Sequence, residues 1–116
     1  MKRIAVIGGR DYSNYQEMNS VLVPLLPFHI ISGGADGADS LAQRFAKEHG
    51  CIITIFYPDW EQYGKSAGFV RNKFIVSAAQ EIVAFHDGVS KGTLHSITLA
   101  NNAGLPVRIV NYERPI

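Results

Sequence analysis

Short apolar runs rich in β-branched residues alternate along this chain with longer stretches whose apolar positions recur three and four apart. Ile4 to Ile7, Phe28 to Ile31, Cys51 to Tyr57, Glu81 to Phe85 and Pro106 to Val110 are of the first kind. Such largely unbroken apolar runs predict strands buried on both faces, as in a parallel sheet. Helical patterns lie between them. Asn14 to Leu26 has helical character ending at Pro24 and Pro27. Ala38, Leu41, Ala42, Phe45, Ala46 and His49 share one helical face, and Gly50 sits where a C-cap glycine belongs. Ser66 reads as the N-cap of a helix to about Ala79, with Val70, Phe74 and Ala78 along its inner face. Gly92-Thr93 opens a last helix, which Gly104 terminates. Asp59 to Lys65 reads as a polar loop bearing aromatics, and the residues from Asn111 as a short tail that packs on a neighbour or frays.

Five alternations of strand and helix with short connections predict an α/β fold, a parallel sheet covered by helices on both faces. The length, 116 residues, suits one domain spanning 1–116. With 47% apolar and 18% charged residues, the composition is that of a globular protein. Net charge is only +1, without a basic stripe, which argues against long nucleic acid as a partner. Cys51 is the only cysteine, so neither an intrachain disulfide nor a thiolate metal cage is available, and it reads as a small apolar residue. His29, His49, His86 and His95 lack the spacing of a zinc set, so no metal and no required cofactor is expected. The apolar run after Lys2-Arg3 is too short for a secretory leader, and no stretch reaches transmembrane length. The expectation is a cytoplasmic protein with no membrane partner.

In parallel α/β sheets, ligands bind beyond the carboxyl ends of the strands. Every unusual loop falls on that edge: Gly8-Gly9-Arg10-Asp11, Ser32 to Gly37, Pro58 to Gly64, and His86 to Thr93. Gly33-Gly34-Ala35-Asp36-Gly37 would let backbone approach a ligand, with the next helix aiming its N–H groups and dipole at the same point. Ser90-Lys91-Gly92-Thr93 repeats the arrangement and adds a cation and two hydroxyls. Two convergent anion sites predict a phosphorylated ligand of nucleotide type, although neither a P-loop nor a Gly-x-Gly-x-x-Gly spacing is present.

Asp36 reads as a helix cap, while Asp39 reads equally as a cap or as an acceptor for ribose hydroxyls. Trp60, with Tyr63 and Tyr57 nearby, reads as a ligand wall on which a base stacks. Arg71 and Asn72 point towards the pocket, the arginine suiting a bidentate phosphate contact. Arg10 clamps a second phosphate or pairs with Asp11 or a neighbouring subunit, and His86 could reach the pocket from the end of its strand.

Taken together, Gly8-Gly9-Arg10, Gly33 to Asp39, Ala67-Gly68-x-x-Arg71-Asn72 and Gly88-x-Ser90-Lys91-Gly92-Thr93 resemble the YspA-like branch of the SLOG superfamily, which also groups DprA and the LOG enzymes. The resemblance runs over nearly the whole chain. It implies a Rossmann-like three-layer sandwich with strand order 3-2-1-4-5 and a pocket for nucleotides or NAD- and ADP-ribose-type ligands, in signalling or phage–host conflict. LOG enzymes split a nucleoside monophosphate into base and ribose 5-phosphate, with the signature Pro-Gly-Gly-x-Gly-Thr-x-x-Glu and a helical arginine. Aligned on Gly92-Thr93, this chain has Gly88-Val89-Ser90 for Pro-Gly-Gly and Ser96 for the glutamate, with Arg71 on the corresponding helix.

The phosphate-binding half of that machinery is therefore expected to be kept and its carboxylate lost, and a serine cannot stabilise an oxocarbenium-like centre as a carboxylate does. The expected function is a binding module for a nucleotide-derived ligand, held by Gly8, Gly9, Arg10, Ser32, Gly33, Gly34, Ala35, Gly37, Asp39, Trp60, Arg71, Asn72, Ser90, Lys91, Gly92 and Thr93. The alternative is a phosphoribohydrolase-like enzyme with Arg71 on phosphate and Asp39 or Asp87 as the carboxylate. Single-stranded DNA binding, as in DprA, is the third class, and the charge balance weighs against it. A homo-oligomer is expected, with the apolar stretch Val21 to Phe28 available for pairing.

Overall fold

The computed structural model describes residues 1–114. Its centre is a sheet of five strands: β1 (Arg3–Gly8), β2 (His29–Ser32), β3 (Ile53–Ile55), β4 (Glu81–His86) and β5 (Val107–Asn111). All neighbours run parallel, in the order β3-β2-β1-β4-β5, as expected. Order reverses between β1 and β4, which pair from Ile4↔Glu81 to Gly8↔Phe85. The crevice of the fold therefore opens beyond Gly8 and Phe85.

Alternate residues of each strand feed two cores. On one face Ile4, Val6, Ile30, Val83 and Phe85 pack under α1 (Tyr15–Leu22) and α2 (Ala38–His49), through Met18, Leu22, Ala42 and Phe45. On the other, Ala5, Ile7, Ile31, Ile82 and Ala84 pack under α4 (Ala67–Ala78) and α5 (Lys91–Asn102), through Ile75, Val76, Ile97 and Ala100. The result is a three-layer, Rossmann-like sandwich. Gly50 ends α2 in the left-handed conformation at φ 67°, and Gly104 at φ 73° follows α5.

The expected boundaries need four corrections. The third strand is shorter than Cys51 to Tyr57, because an edge strand gains hydrogen bonds from one neighbour only. Residues 59–65 are not a loop: Asp59 accepts the Gln62 N–H and starts α3 (Trp60–Tyr63), followed by a 3-10 turn. Ser66 caps nothing; its hydroxyl donates to the Tyr63 carbonyl. The inner face of α4 is Ala67, Asn72, Ile75 and Val76, while Phe74 lies half exposed against Phe56, their centroids 6.1 Å apart.

The stretch suggested for pairing is largely spent on the chain's own core: Leu22 and Phe28 are buried, and Val21, Leu25 and Leu26 pack against them. Among the described residues, no helix is long and apolar enough to cross a membrane.

Candidate functional site

A cleft of about 420 Å³ opens at the carboxyl edge of β1 and β4. Its walls include Gly8, Gly9 and Arg10 after β1, Ala35 and Asp39 at the head of α2, Arg71 and Asn72 on α4, and Ser90, Gly92 and Thr93 at the head of α5. These are residues singled out from the sequence. So are Asp87, the alternative catalytic carboxylate, and Ser96, and Ile7, Asp11, Ile75, Val89 and Arg114 complete the lining. The other expected residues lie elsewhere. Ser32 is buried beneath the cleft and donates to the Val6 carbonyl at 3.3 Å. Gly33, Gly34 and Trp60 line a neighbouring hollow with Asp36 and Pro58. Gly37 and Lys91 do not line the cleft either.

The two expected anion loops differ. At α2 the leading N–H, that of Ala38, donates to the Gly9 carbonyl at 3.1 Å, so the chain itself takes up the first donor of that helix. Gly37, at φ 72°, holds the N-cap position; Asp36 is exposed and does not cap. A Cβ on Gly37 would overlap the Gly9 and Arg10 backbone. Glycines here serve close packing of two loops rather than approach of a ligand. At α5, among the described residues, no side chain caps the first turn. Its N–H groups and dipole end face the cleft, flanked by the Ser90 and Thr93 hydroxyls, which lie 3.2 Å apart.

Two carboxylates brace these loops. Asp39 is buried, and its Oδ2 accepts the Ala35 N–H at 3.0 Å. Burial pushes its pKa up to about 6, against the lowering effect of that N–H and of Arg71. Arg71 donates to the Gly33 carbonyl and, through Nε, to Asn72 Oδ1 at 2.9 Å. A Cβ on Gly33 would lie 2.7 Å from an Arg71 Nη and 3.0 Å from Asp39 Oδ2, so a larger residue there would have to displace the arginine head. Asp87 Oδ1 accepts the N–H groups of Val89 and Ser90 at 2.9 and 2.8 Å, which hold it below the usual carboxylate range. Asn72, buried on α4, reaches the Gly92 carbonyl and His95 Nδ1 at 3.3 and 3.2 Å and fixes α4 against the head of α5.

Sequence reasoning missed the far wall. Of the residues expected to form a tail, Asn111 still belongs to β5, and Tyr112 and Arg114 fold back over the first loop of their own chain. Tyr112 donates to Asp11 Oδ1, and Arg114 Nε lies 3.2 Å from Asp11 Oδ2 and 3.5 Å from Asp87 Oδ2. Asp11 thus pairs with Arg114, not with Arg10, and Arg10 forms no ion pair among the described residues. Parallel topology was the available signal, since every strand of such a sheet ends at the ligand edge. His86 is buried beside Asp87 and does not line the cleft; among the described residues its Nδ1 has no hydrogen-bond partner. The other histidines sit apart, His29 on Thr54, His49 on Asn19 and His95 on Asn72.

The model of the YspA, cpYpsA-related SLOG family matches residues 2–63 of the chain, from before β1 to the end of α3. The chain belongs to this family. It is also 35% identical, over 118 aligned residues, to the Gene 61 protein of Mycobacterium phage D29, with 92% of this chain and 94% of that protein covered. The matched segment of this SLOG protein carries both glycine loops up to Asp39, whereas Arg71, Asn72 and the loop before α5 lie beyond it.

Proposed function

We propose that this SLOG protein binds a nucleotide-derived ligand of the NAD or ADP-ribose type in the cleft, without cleaving it. The phosphate would lie on the uncapped head of α5, against the Ser90 and Thr93 hydroxyls and the Gly92 backbone, with Arg10 and Arg71 beside it. The observation that carries this reading is that each cleft carboxylate already has work within the chain. Asp39 is bonded to Ala35, Asp87 to Val89 and Ser90, and Asp11 to Tyr112 and Arg114. The cleft position that corresponds to the LOG glutamate is Ser96, 3% exposed. A cleft of this kind offers anion contacts beside carboxylates that, among the described residues, are already bonded within the chain. A sensing or sequestering role fits retention without turnover.

Native mass spectrometry of the purified protein tests this, followed by incubation with AMP, NAD and ADP-ribose under phosphorus NMR. Retention of an intact nucleotide with unchanged spectra is expected. Release of ribose 5-phosphate would overturn the reading.

One feature favours the hydrolase as a second reading: Asp39, with its pKa raised to about 6, shares the cleft with Arg71. Should turnover occur, Asp39→Asn and Asp87→Asn, whose amide oxygens can still accept the Ala35 and the Val89 and Ser90 N–H groups, abolish it while AMP still binds.

A further inference from the structure

A smaller recess of about 200 Å³ adjoins the cleft, sharing Arg10, Arg71, Asn72 and Gly92 with it. Its outer part is Trp60 of α3, Lys65 of the following turn, and Gly68 and Phe69 of α4. Trp60 and Phe69 are 55% and 47% exposed, so both present aromatic surface to the recess, whereas Phe28, Phe45 and Phe85 are buried in the core. Phe69 meets His95 edge-on at 4.6 Å, and Trp60 has no aromatic partner among the described residues.

The glycines of the recess are the informative ones. Gly8, Gly9, Gly33, Gly34 and Gly37 each have their Cβ position taken by the chain's own atoms. Among the described residues, nothing lies within 4 Å of the Cβ positions of Gly68 and Gly92, and neither has a positive φ. Each is the second residue of a helix, where glycine weakens the helix relative to alanine. Neither packing nor backbone geometry asks for glycine at either place. Room beside them does.

We infer that the recess between Trp60 and Phe69, floored by Gly68 and Gly92, takes the nucleobase of the ligand whose phosphate lies on α5. A base is flat, stacks on aromatic faces and tolerates backbone at van der Waals distance. Lys65 at the rim can donate to a ring nitrogen or exocyclic oxygen. The neighbouring hollow on the other side of Trp60 suits a base less, because there Arg71 and Tyr57 fill the space beside Gly33 and Gly34. This assignment rests on the nucleotide-binding reading above.

Trp60 is the chain's single tryptophan, so its fluorescence reports on a ligand beside this one side chain, and a substitution at Gly68, which lines the recess and not the neighbouring hollow, tells the two apart. The experiment pairs AMP with ribose 5-phosphate as probes, on the wild type and on Gly68→Leu, with affinities from calorimetry. Leucine is a better helix former than glycine and faces open space at 68, so the variant folds. AMP should quench Trp60 and ribose 5-phosphate should not, while both bind the wild type. In Gly68→Leu, AMP affinity should fall about tenfold or more, towards that of ribose 5-phosphate, whose own affinity stays unchanged. Equal AMP affinity in wild type and variant, with no Trp60 response, would overturn the recess and leave the phosphate site standing. Failure of both probes to bind the wild type would overturn the nucleotide reading and the recess with it.

Discussion

The hydroxyl of Tyr112 occupies the place where a Cβ on Gly9 would stand, and donates from there to Asp11. Two residues over a hundred positions apart thus lock the segment just after β5 onto the first loop. That loop in turn accepts the Tyr12 and Ala38 N–H groups at the Gly9 carbonyl, at 3.3 and 3.1 Å. One wall of the cleft is therefore assembled from β1, the head of α2 and the tail together.

Gly9→Ala should destabilise the protein by about 1–3 kcal/mol, the usual cost of forcing atoms into filled space. Gly9 has no positive φ, so the effect is one of contact and not of backbone strain. Tyr112→Phe removes the hydroxyl and costs about 1 kcal/mol through the lost bond to Asp11. The double variant should recover part of the loss, since alanine then meets only the ring edge, whose Cζ lies 3.1 Å from the Cβ position. A double-mutant cycle by urea unfolding should show a coupling of about 1 kcal/mol. Strict additivity would break the link.

Burial lifts the Asp39 pKa from 3.8 to about 6. Between those values the folded protein holds a proton that the unfolded chain has released. Stability is therefore full below the unfolded pKa and falls as pH rises through the folded one, by roughly 3 kcal/mol at most. Asp39→Asn keeps an acceptor for the Ala35 N–H and has no proton to lose. Unfolding free energies measured from pH 4 to 7 should slope downward for the wild type and flatten for the variant.

Arg114 is 62% exposed, and pairs of that kind contribute little to stability, under about 1 kcal/mol. Arg114→Ala should leave the melting temperature nearly unchanged. It nevertheless strips Asp11 and Asp87 of their shared cation and makes the cleft more negative. Affinity for AMP should fall several-fold, with the difference shrinking as salt is raised. An unchanged affinity at low salt would put Arg114 outside the site.

The sheet was legible in the sequence because its strands are apolar runs closed by glycine or proline, and because alternation with helices leaves parallel pairing as the simple solution. Local patterning failed where two signals competed. Around α4, Val70, Phe74 and Ala78 make as good a stripe as Ala67, Ile75 and Val76; only the polar Asn72, bonded to the Gly92 carbonyl and His95, shows which side turns inward. Asp59 and Gln62 carried a capping signal for α3 that aromatic, polar composition obscured. The Asp11, Tyr112 and Arg114 contacts span the whole chain and have no local signature.

Glycine is where sequence reading reached its limit, because a glycine that packs and a glycine that leaves room look alike as letters. Gly37 and Gly92 separate the two. Gly37 sits at φ 72° against the Gly9 carbonyl, so Gly37→Ala meets both strain and overlap and should cost about 2–4 kcal/mol. Gly92 is helical and faces open space, so Gly92→Ala should stabilise the apo protein by about 0.5–1 kcal/mol. Its methyl group would stand in both the cleft and the recess, which Gly92 lines together. AMP binding should therefore weaken in the same variant that melts higher. Thermal melts with and without AMP read both effects in one experiment: the apo curve shifts up, and the ligand-induced shift shrinks. A Gly92→Ala protein that gains stability and binds AMP as tightly as the wild type would mean that the open space at the head of α5 is not where the ligand lies.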